Sequence, residues 1–218
     1  MGIPSEGYVG RIMPLLEKQY SSVHTTLYNW KNPVQFLVAV MLSAQCTDER
    51  VNIVTKELFQ KYFTAKDFAT ADRKRLEREI RSTGFYRNKA KNIIAACKII
   101  QEQHSGRVPW NMEELLKLPG VARKTANVVL SALFNKNEGF VVDTHVKRVA
   151  FRLGLTKNKN PEKIEKDLMK VVPQRDWGSF ALQLVWHGRA VCQAKKPRCS
   201  ECLLNKLCPS AFKINGAL

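Results

Sequence analysis

No stretch of the 218-residue chain is apolar for long enough to cross a bilayer. The longest such run, Phe36 to Leu42, holds seven residues where about 20 are needed. The N-terminus has neither a charged lead-in nor an apolar core, so no secretory leader is expected. Met1-Gly2 opens like a myristoylation signal, but Glu6 stands where that signal needs Ser or Thr. Cysteines are few, six in all. The chain is expected inside the cell, in cytoplasm or nucleoid, where thiols stay reduced and a disulfide framework is not the default. Strand patterning is scarce as well: apolar–polar alternation is missing while helical spacing recurs. Acidic residues are the last shortage. Nineteen Asp and Glu against 36 Lys and Arg leave a formal charge of +17 and a pI near 9.8. Such a balance favours a polyanionic partner, nucleic acid ahead of an anionic membrane surface.

What is present reads as an all-α protein. Ile12, Leu15, Leu16 and Tyr20 share one face of a helix over 8–20. Pro33 opens a segment, Val34 to Cys46, that is apolar nearly all round and predicts a buried central helix. A helix over 48–62 is expected next, capped by Thr47 or Asp48. A short one over 73–82 should stop at Gly84, and Ala90, Ile93, Ile94, Cys97 and Ile100 mark a stripe over 87–103. Past a turn-rich break at 135–139, further helices are expected near 143–153, 161–171 and 176–190. Glu162 and Lys166 have the spacing of a solvated i,i+4 pair. Cys46 and Cys97 sit on apolar faces and read as core residues. His24, His104 and His187 read as packing or surface residues.

Leu115-Leu-Lys-Leu-Pro-Gly-Val-Ala-Arg-Lys-Thr-Ala126 carries the most information. Leu115, Leu118, Val121 and Ala126 are spaced to pack two short helices across a turn, which Pro119-Gly120 supplies. The second helix is expected to start near Val121 with unpaired N–H groups facing outward, an anion site that suits a DNA phosphate. Arg123 and Lys124 fall in its first turn, where the helix dipole prefers carboxylates. Something other than helix stability placed them there.

The tail Cys192-x6-Cys199-x2-Cys202-x5-Cys208 puts four thiols within 17 residues. Zinc sites usually show two short pairs separated by a longer stretch; here only one pair is CxxC-spaced. Four thiolates without a nearby His suit an iron–sulfur cluster, and a four-thiolate zinc site stays open on chemistry alone. Lys195, Lys196 and Arg198 lie within the first Cys loop, where they either meet phosphates or keep the tail soluble.

Three blocks together resemble the endonuclease III family of helix-hairpin-helix DNA glycosylases. They are Leu118-Pro-Gly-Val-Ala-Arg-Lys-Thr-Ala-Asn-Val-Val-Leu130, Val142-Asp-Thr-His145 and the four-cysteine tail. Leu42-Ser-Ala-Gln45, Thr47-Asp48, Gly84, Tyr86 and Lys196-Pro-Arg-Cys199 fit as well, and the likeness runs from about residue 10 to 210. The resemblance implies two helical domains. One is a six-helix domain over 26–136 that carries the hairpin; the other joins 1–25 to 137–218 and carries a [4Fe–4S] loop. It also implies a monomer that bends duplex DNA containing damaged pyrimidines or abasic sites, and flips the damaged nucleotide out of the stack.

By the same resemblance, Lys124 is the nucleophile that displaces the base and forms a Schiff base, after which the strand breaks by β-elimination. Free Lys titrates near ~10.4, so a helix start, Arg123 and partial burial are expected to ease its deprotonation. Asp143 matches the catalytic carboxylate; it also suits the N-cap of the helix beginning at Thr144. An anion near Lys124 would oppose the helix start. Gln45 and His145 match positions that probe the space left by the extruded nucleotide. Asp48 either lines the lesion pocket or caps its helix.

Two departures stand out. Phe85 replaces a usual Leu, as a wedge in the duplex or as local packing. Ala122 replaces a usual Gly beside the phosphate grip of Gly120 and Arg123. If position 122 needs positive φ, Ala costs about 1 kcal/mol; within the helix it is the better residue. Relatives specific for adenine mismatches generally lack the lysine at 124. A mismatch-specific thymine or uracil glycosylase, or a non-catalytic DNA-binding module, are the remaining alternatives.

Overall fold

The structure is a computed structural model that describes residues 6–23 and 25–213; His24 lies outside them. Among the described residues there is no strand, and no helix is long and apolar enough to cross a membrane. The chain divides into two compact units, Thr25–Lys136 and Met1–His24 with Asn137–Leu218. Each has its own apolar core.

In the Thr25–Lys136 unit, α2 (Pro33–Leu42) is the centre. Asn32 caps it by accepting from Gln35 N at 3.0 Å, and Pro33 occupies the first turn, where a missing N–H does no harm. Every residue from Val34 to Leu42 is buried. The helix stops four residues before the expected Cys46, because Gln45 takes the left-handed region (φ 52) and ends the helical path. Cys46 therefore lies in a loop, half-buried, rather than on a helical face. Cys97 is fully buried, which pushes its thiol up to about 12. The buried amide of Gln35 donates to Phe59 O and Tyr62 O, both at 3.1 Å, and so ties α2 to the end of α3 (Asp48–Lys61).

Two further elements differ from expectation. A one-turn helix, α4 (Ala65–Ala69), forms because Thr64 and Asp67 make a reciprocal capping box. It brings this unit to seven α-helices among the described residues, where the resemblance implied six. Next, α5 (Arg73–Glu79) hands over to a 3-10 turn at Arg81–Thr83 before Gly84 (φ 71), so it ends three residues short of 82. The remaining helices are α6 (Tyr86–Gln103), α7 (Met112–Leu116) and α8 (Arg123–Phe134).

The second unit packs α1 (Glu6–Tyr20), α9 (Thr144–Arg152), α10 (Pro161–Val171) and α11 (Trp177–Ala190). Its core includes Ile12, Leu16, Val146, Val149, Ile164, Leu168, Phe180 and Leu184. Buried Asp167 accepts from Thr156 Oγ1 at 2.5 Å and Asn158 Nδ2 at 2.7 Å, which fixes the turn between α9 and α10. The cysteine tail follows α11, with a 3-10 turn at Cys199–Glu201.

Candidate active site and cysteine loop

The hairpin packs as its apolar spacing predicts: Leu115, Leu118, Val121 and Ala126 are all buried. Gly120 is required twice over. Its φ is +80, and a Cβ there would lie 2.8 Å from Asn92 Cβ. Helix α8 starts at Arg123 rather than near Val121, with Ala122 as its N-cap at φ −88 and ψ 167. Position 122 is therefore neither left-handed nor helical, and Ala carries no positive-φ penalty there. It also brings no side-chain acceptor. The first turn of α8 has no side-chain cap and no acidic residue, and both Arg123 and Lys124 are exposed. The partial burial expected for Lys124 is absent; this first turn instead projects into solvent. An uncapped, cationic helix start is suited to an anion.

Gln45 and Phe85 both hold left-handed backbone conformations, φ 52 and 47, and line one concave surface with Gly120. Phe85 is 63% exposed, so local core packing is ruled out for it. Behind this surface lies Lys89, only 7% exposed. Its Nζ donates to Leu42 O at 2.8 Å and Thr83 O at 2.7 Å, the carbonyls that precede the two left-handed residues by three and two positions. Burial holds its amine below the usual lysine range. Asp48 does not cap α3, since Thr47 does so by accepting from Arg50 N. The Asp48 carboxylate, half-buried, accepts instead from Thr26 Oγ1 at 2.5 Å.

Asp143, in the other unit, is the N-cap of α9: Oδ1 accepts from Val146 N at 2.7 Å. The cap fixes the carboxylate while Oδ2 makes no bond to the described residues. His145 sits in the first turn of α9 with Nδ1 3.2 Å from Arg148 Nη2. Arg148 also donates to Gly188 O at 2.8 Å and Cys192 O at 3.1 Å. At the far end of α9, Arg152 is 1% exposed and has no carboxylate partner among the described residues. Its guanidinium donates to Gln193 O and Ala194 O at 2.7 Å each, and to Cys192 O and Cys192 Sγ at 3.4 Å. One helix thus carries Asp143 at its start and grips the cysteine loop at its end.

Cys192, Cys199, Cys202 and Cys208 line a single cavity with Val149, Arg152, Leu153 and His187. Burial pushes the Cys202 and Cys208 thiols up. Among the described residues no three thiol, imidazole or carboxylate groups converge as one metal ion would need. Zinc, with Zn–S near ~2.3 Å, draws its sulfurs to within about 4 Å of one another. Donors already face the sulfurs: Leu204 N lies 3.4 Å from Cys202 Sγ, in addition to Arg152 at Cys192. An apolar cavity with four thiols and N–H groups aimed at sulfur fits a polynuclear iron–sulfur group better than a single ion.

Lys195 and Lys196 are exposed and make no bond to the described residues. Arg198 differs. It donates to Ala190 O and pairs with Glu201 at 3.1 Å, so it braces the loop rather than standing free for phosphate. Four structural positions went unread in the sequence. Lys89 shares a stripe with Ile93, Cys97 and Ile100, and Arg152 shares one with Val149; a lone cation on an apolar stripe was the available signal. His187, expected as a packing or surface residue, is 2% exposed, lines the thiol cavity and lies 3.6 Å from Cys202 Sγ. Arg148 gave no signal apart from its helical position.

Residues 38–174 match the family model of the HhH-GPD superfamily of base excision DNA repair proteins. Endonuclease III of Synechocystis sp. is 58% identical over 200 residues, covering 92% of this chain and 91% of that protein. Two solved structures are each 41% identical with a TM-score of 0.89, covering 96% of this chain and 98% of theirs. They are a non-covalent endonuclease III–DNA complex and a trapped endonuclease III–DNA covalent intermediate with an estranged adenine.

Replacing Arg152 by Met keeps the volume of the stem and removes every donor, leaving the loop carbonyls of Gln193 and Ala194 without partners, while Cys192 O keeps Arg148. Such a loss should destabilise the protein by about 3–5 kcal/mol. At roughly 2–4 °C per kcal/mol for a chain of this size, thermal melting should show a fall near 10 °C. Iron retained per chain should fall with it. Parent-like melting and iron content would show that the guanidinium does not hold the loop.

Proposed function

The chain belongs to the endonuclease III family and is a bifunctional DNA glycosylase and AP lyase of base excision repair; we propose that it acts, as a monomer in the cytoplasm or nucleoid, on oxidised pyrimidines in duplex DNA. Lys124 is the proposed nucleophile. The observation that carries this is its position, exposed in the first turn of an uncapped helix directly after the Gly120 turn.

The neutral amine attacks C1′ of the flipped nucleotide and the damaged base departs with the bonding electrons. Loss of a proton from the attached nitrogen leaves a neutral aminal, whose lone pair then expels the ring oxygen; that oxygen takes up a proton as a hydroxyl, and an iminium remains at C1′. That iminium acidifies the C2′ hydrogen, whose removal expels the 3′ phosphate. Asp143 stabilises the cationic sugar and accepts a proton through the oxygen its cap leaves unused. Gln45 and Phe85 support the flipped state by occupying the gap, with Gly120, Ala122 and Arg123 on the backbone phosphate. Lys195 and Lys196 bind further phosphates from the cysteine loop, His145 with Gln45 probes the space that the extruded nucleotide leaves, and Asp48 lines the lesion pocket.

The family implies an iron–sulfur cluster. We assign it as [4Fe–4S], held by Cys192, Cys199, Cys202 and Cys208. Bound there, it would cross-link the loop that α9 grips, and keep Lys195 and Lys196 in place.

Assays on thymine-glycol and abasic duplexes test the chemistry. Lys124→Ala should lose both base release and strand cleavage. Asp143→Asn keeps an equally good N-cap and removes only the charge, so it should fold normally and slow base release by about 10²–10⁴-fold. Parent-like rates in Lys124→Ala would leave a different nucleophile, and duplex binding with no turnover by the parent would leave a DNA-binding module. The cluster assignment predicts yellow-brown protein with about four irons per chain. Colourless protein with stoichiometric zinc, isolated without oxygen, would overturn it.

A further inference from the structure

Helix α5 reads Arg73-Lys-Arg-Leu-Glu-Arg-Glu79 and sorts its cations into two kinds. Arg73 pairs with Glu77 at 2.8 Å and Arg75 with Glu79 at 3.4 Å, both at i,i+4 spacing. Lys74 has Arg78 at its own i+4 position, a like-charge pair that works against the helix. Arg81 follows in the 3-10 turn. Arg87 lies in the first turn of α6, where the dipole disfavours a cation and where there is neither an acidic residue nor a side-chain cap. These four cations, all exposed, line one open concavity with Tyr86 and Glu77.

Lys74, Arg78 and Arg81 make no ion pair or side-chain hydrogen bond among the described residues, and Arg87 only stacks on Tyr86 at 5.6 Å. Glu77, the single carboxylate, is already engaged by Arg73. Local helix stability accounts for none of these placements. The concavity also adjoins Phe85, which is exposed and immediately precedes Tyr86.

We propose that this concavity is a second backbone-phosphate site, which holds the duplex beside the Phe85 wedge. This rests on the reading that Phe85 enters DNA. Guanidinium forks suit non-bridging phosphate oxygens, and a phosphate between Lys74 and Arg78 would relieve their repulsion. Such bonds carry no sequence information, so they hold damaged and undamaged duplex alike.

Salt-dependent binding tests it. The variant Lys74→Gln/Arg78→Gln/Arg81→Gln/Arg87→Gln is compared with Lys159→Gln/Lys163→Gln/Lys166→Gln/Lys170→Gln, which removes equal charge from exposed lysines of the other unit. Every phosphate that the variant no longer neutralises should lower the slope of log K against log salt by about 0.9. The concavity variant should therefore lose roughly 2–4 in slope on damaged and undamaged duplex, while the control keeps the parent slope. Melting curves confirm that both variants fold. Parent-like slope in the concavity variant, or equal loss in both variants, overturns the proposal. Weakened binding to anionic phosphatidylserine vesicles with an unchanged DNA slope would overturn it in favour of a membrane surface. If only Phe85→Ala is without effect on lesion-duplex binding, the wedge reading fails while a changed slope still stands for the concavity.

Discussion

A guanidinium buried against backbone carbonyls, with no carboxylate partner among the described residues, is the constraint on which the cysteine-bearing unit depends. Arg152 meets three successive carbonyls, Cys192 to Ala194, together with the Cys192 sulfur. Only a planar fork with several fixed donors can satisfy that many acceptors from one direction; an ammonium is a point charge with three. The same helix begins with Asp143, so the position of the carboxylate and the shape of the loop are set by one rigid element. Arg148, one turn before Arg152, adds Gly188 and Cys192 to the same side of α9.

The hairpin unit uses a related device. Lys89, buried, holds Leu42 O and Thr83 O, and those carbonyls lead into Gln45 and Phe85. Both of those residues keep left-handed backbones, which cost a non-glycine residue roughly 1–2 kcal/mol. Such strain persists only where neighbouring structure enforces it. In each unit, then, a buried cation fixes a segment that presents proposed site residues, by hydrogen bonds to backbone rather than by ion pairing.

Much of this was legible in the sequence because it is local or periodic. The all-α fold follows from helical spacing, the hairpin from Leu115, Leu118, Pro119 and Gly120, and the cysteine loop from its spacing. The N-cap role of Asp143 followed from residue type alone. Illegible parts depended on partners distant in the chain. Nothing near position 89 reveals that its amine reaches Leu42, 47 residues away. Arg152 likewise meets a loop 40 residues on. The early end of α2 was hidden because Val34 to Cys46 keeps its apolar pattern past the residue where the backbone turns. Ala122 was ambiguous because sequence does not give φ; once φ is −88, the Ala is an extended N-cap and carries no strain. Arg198 looked like a phosphate ligand until its bonds to Ala190 and Glu201 were seen.

The proposed reaction turns on one covalent bond, between Lys124 and C1′ of the sugar. Borohydride reduction on an abasic duplex, followed by proteolysis and mass mapping of the adduct, locates that bond directly. The reduced sugar is expected on the peptide that contains Lys124 and on no other. Attachment at a different lysine or at the terminal amine, or no adduct from a preparation that still cleaves the strand, would contradict it.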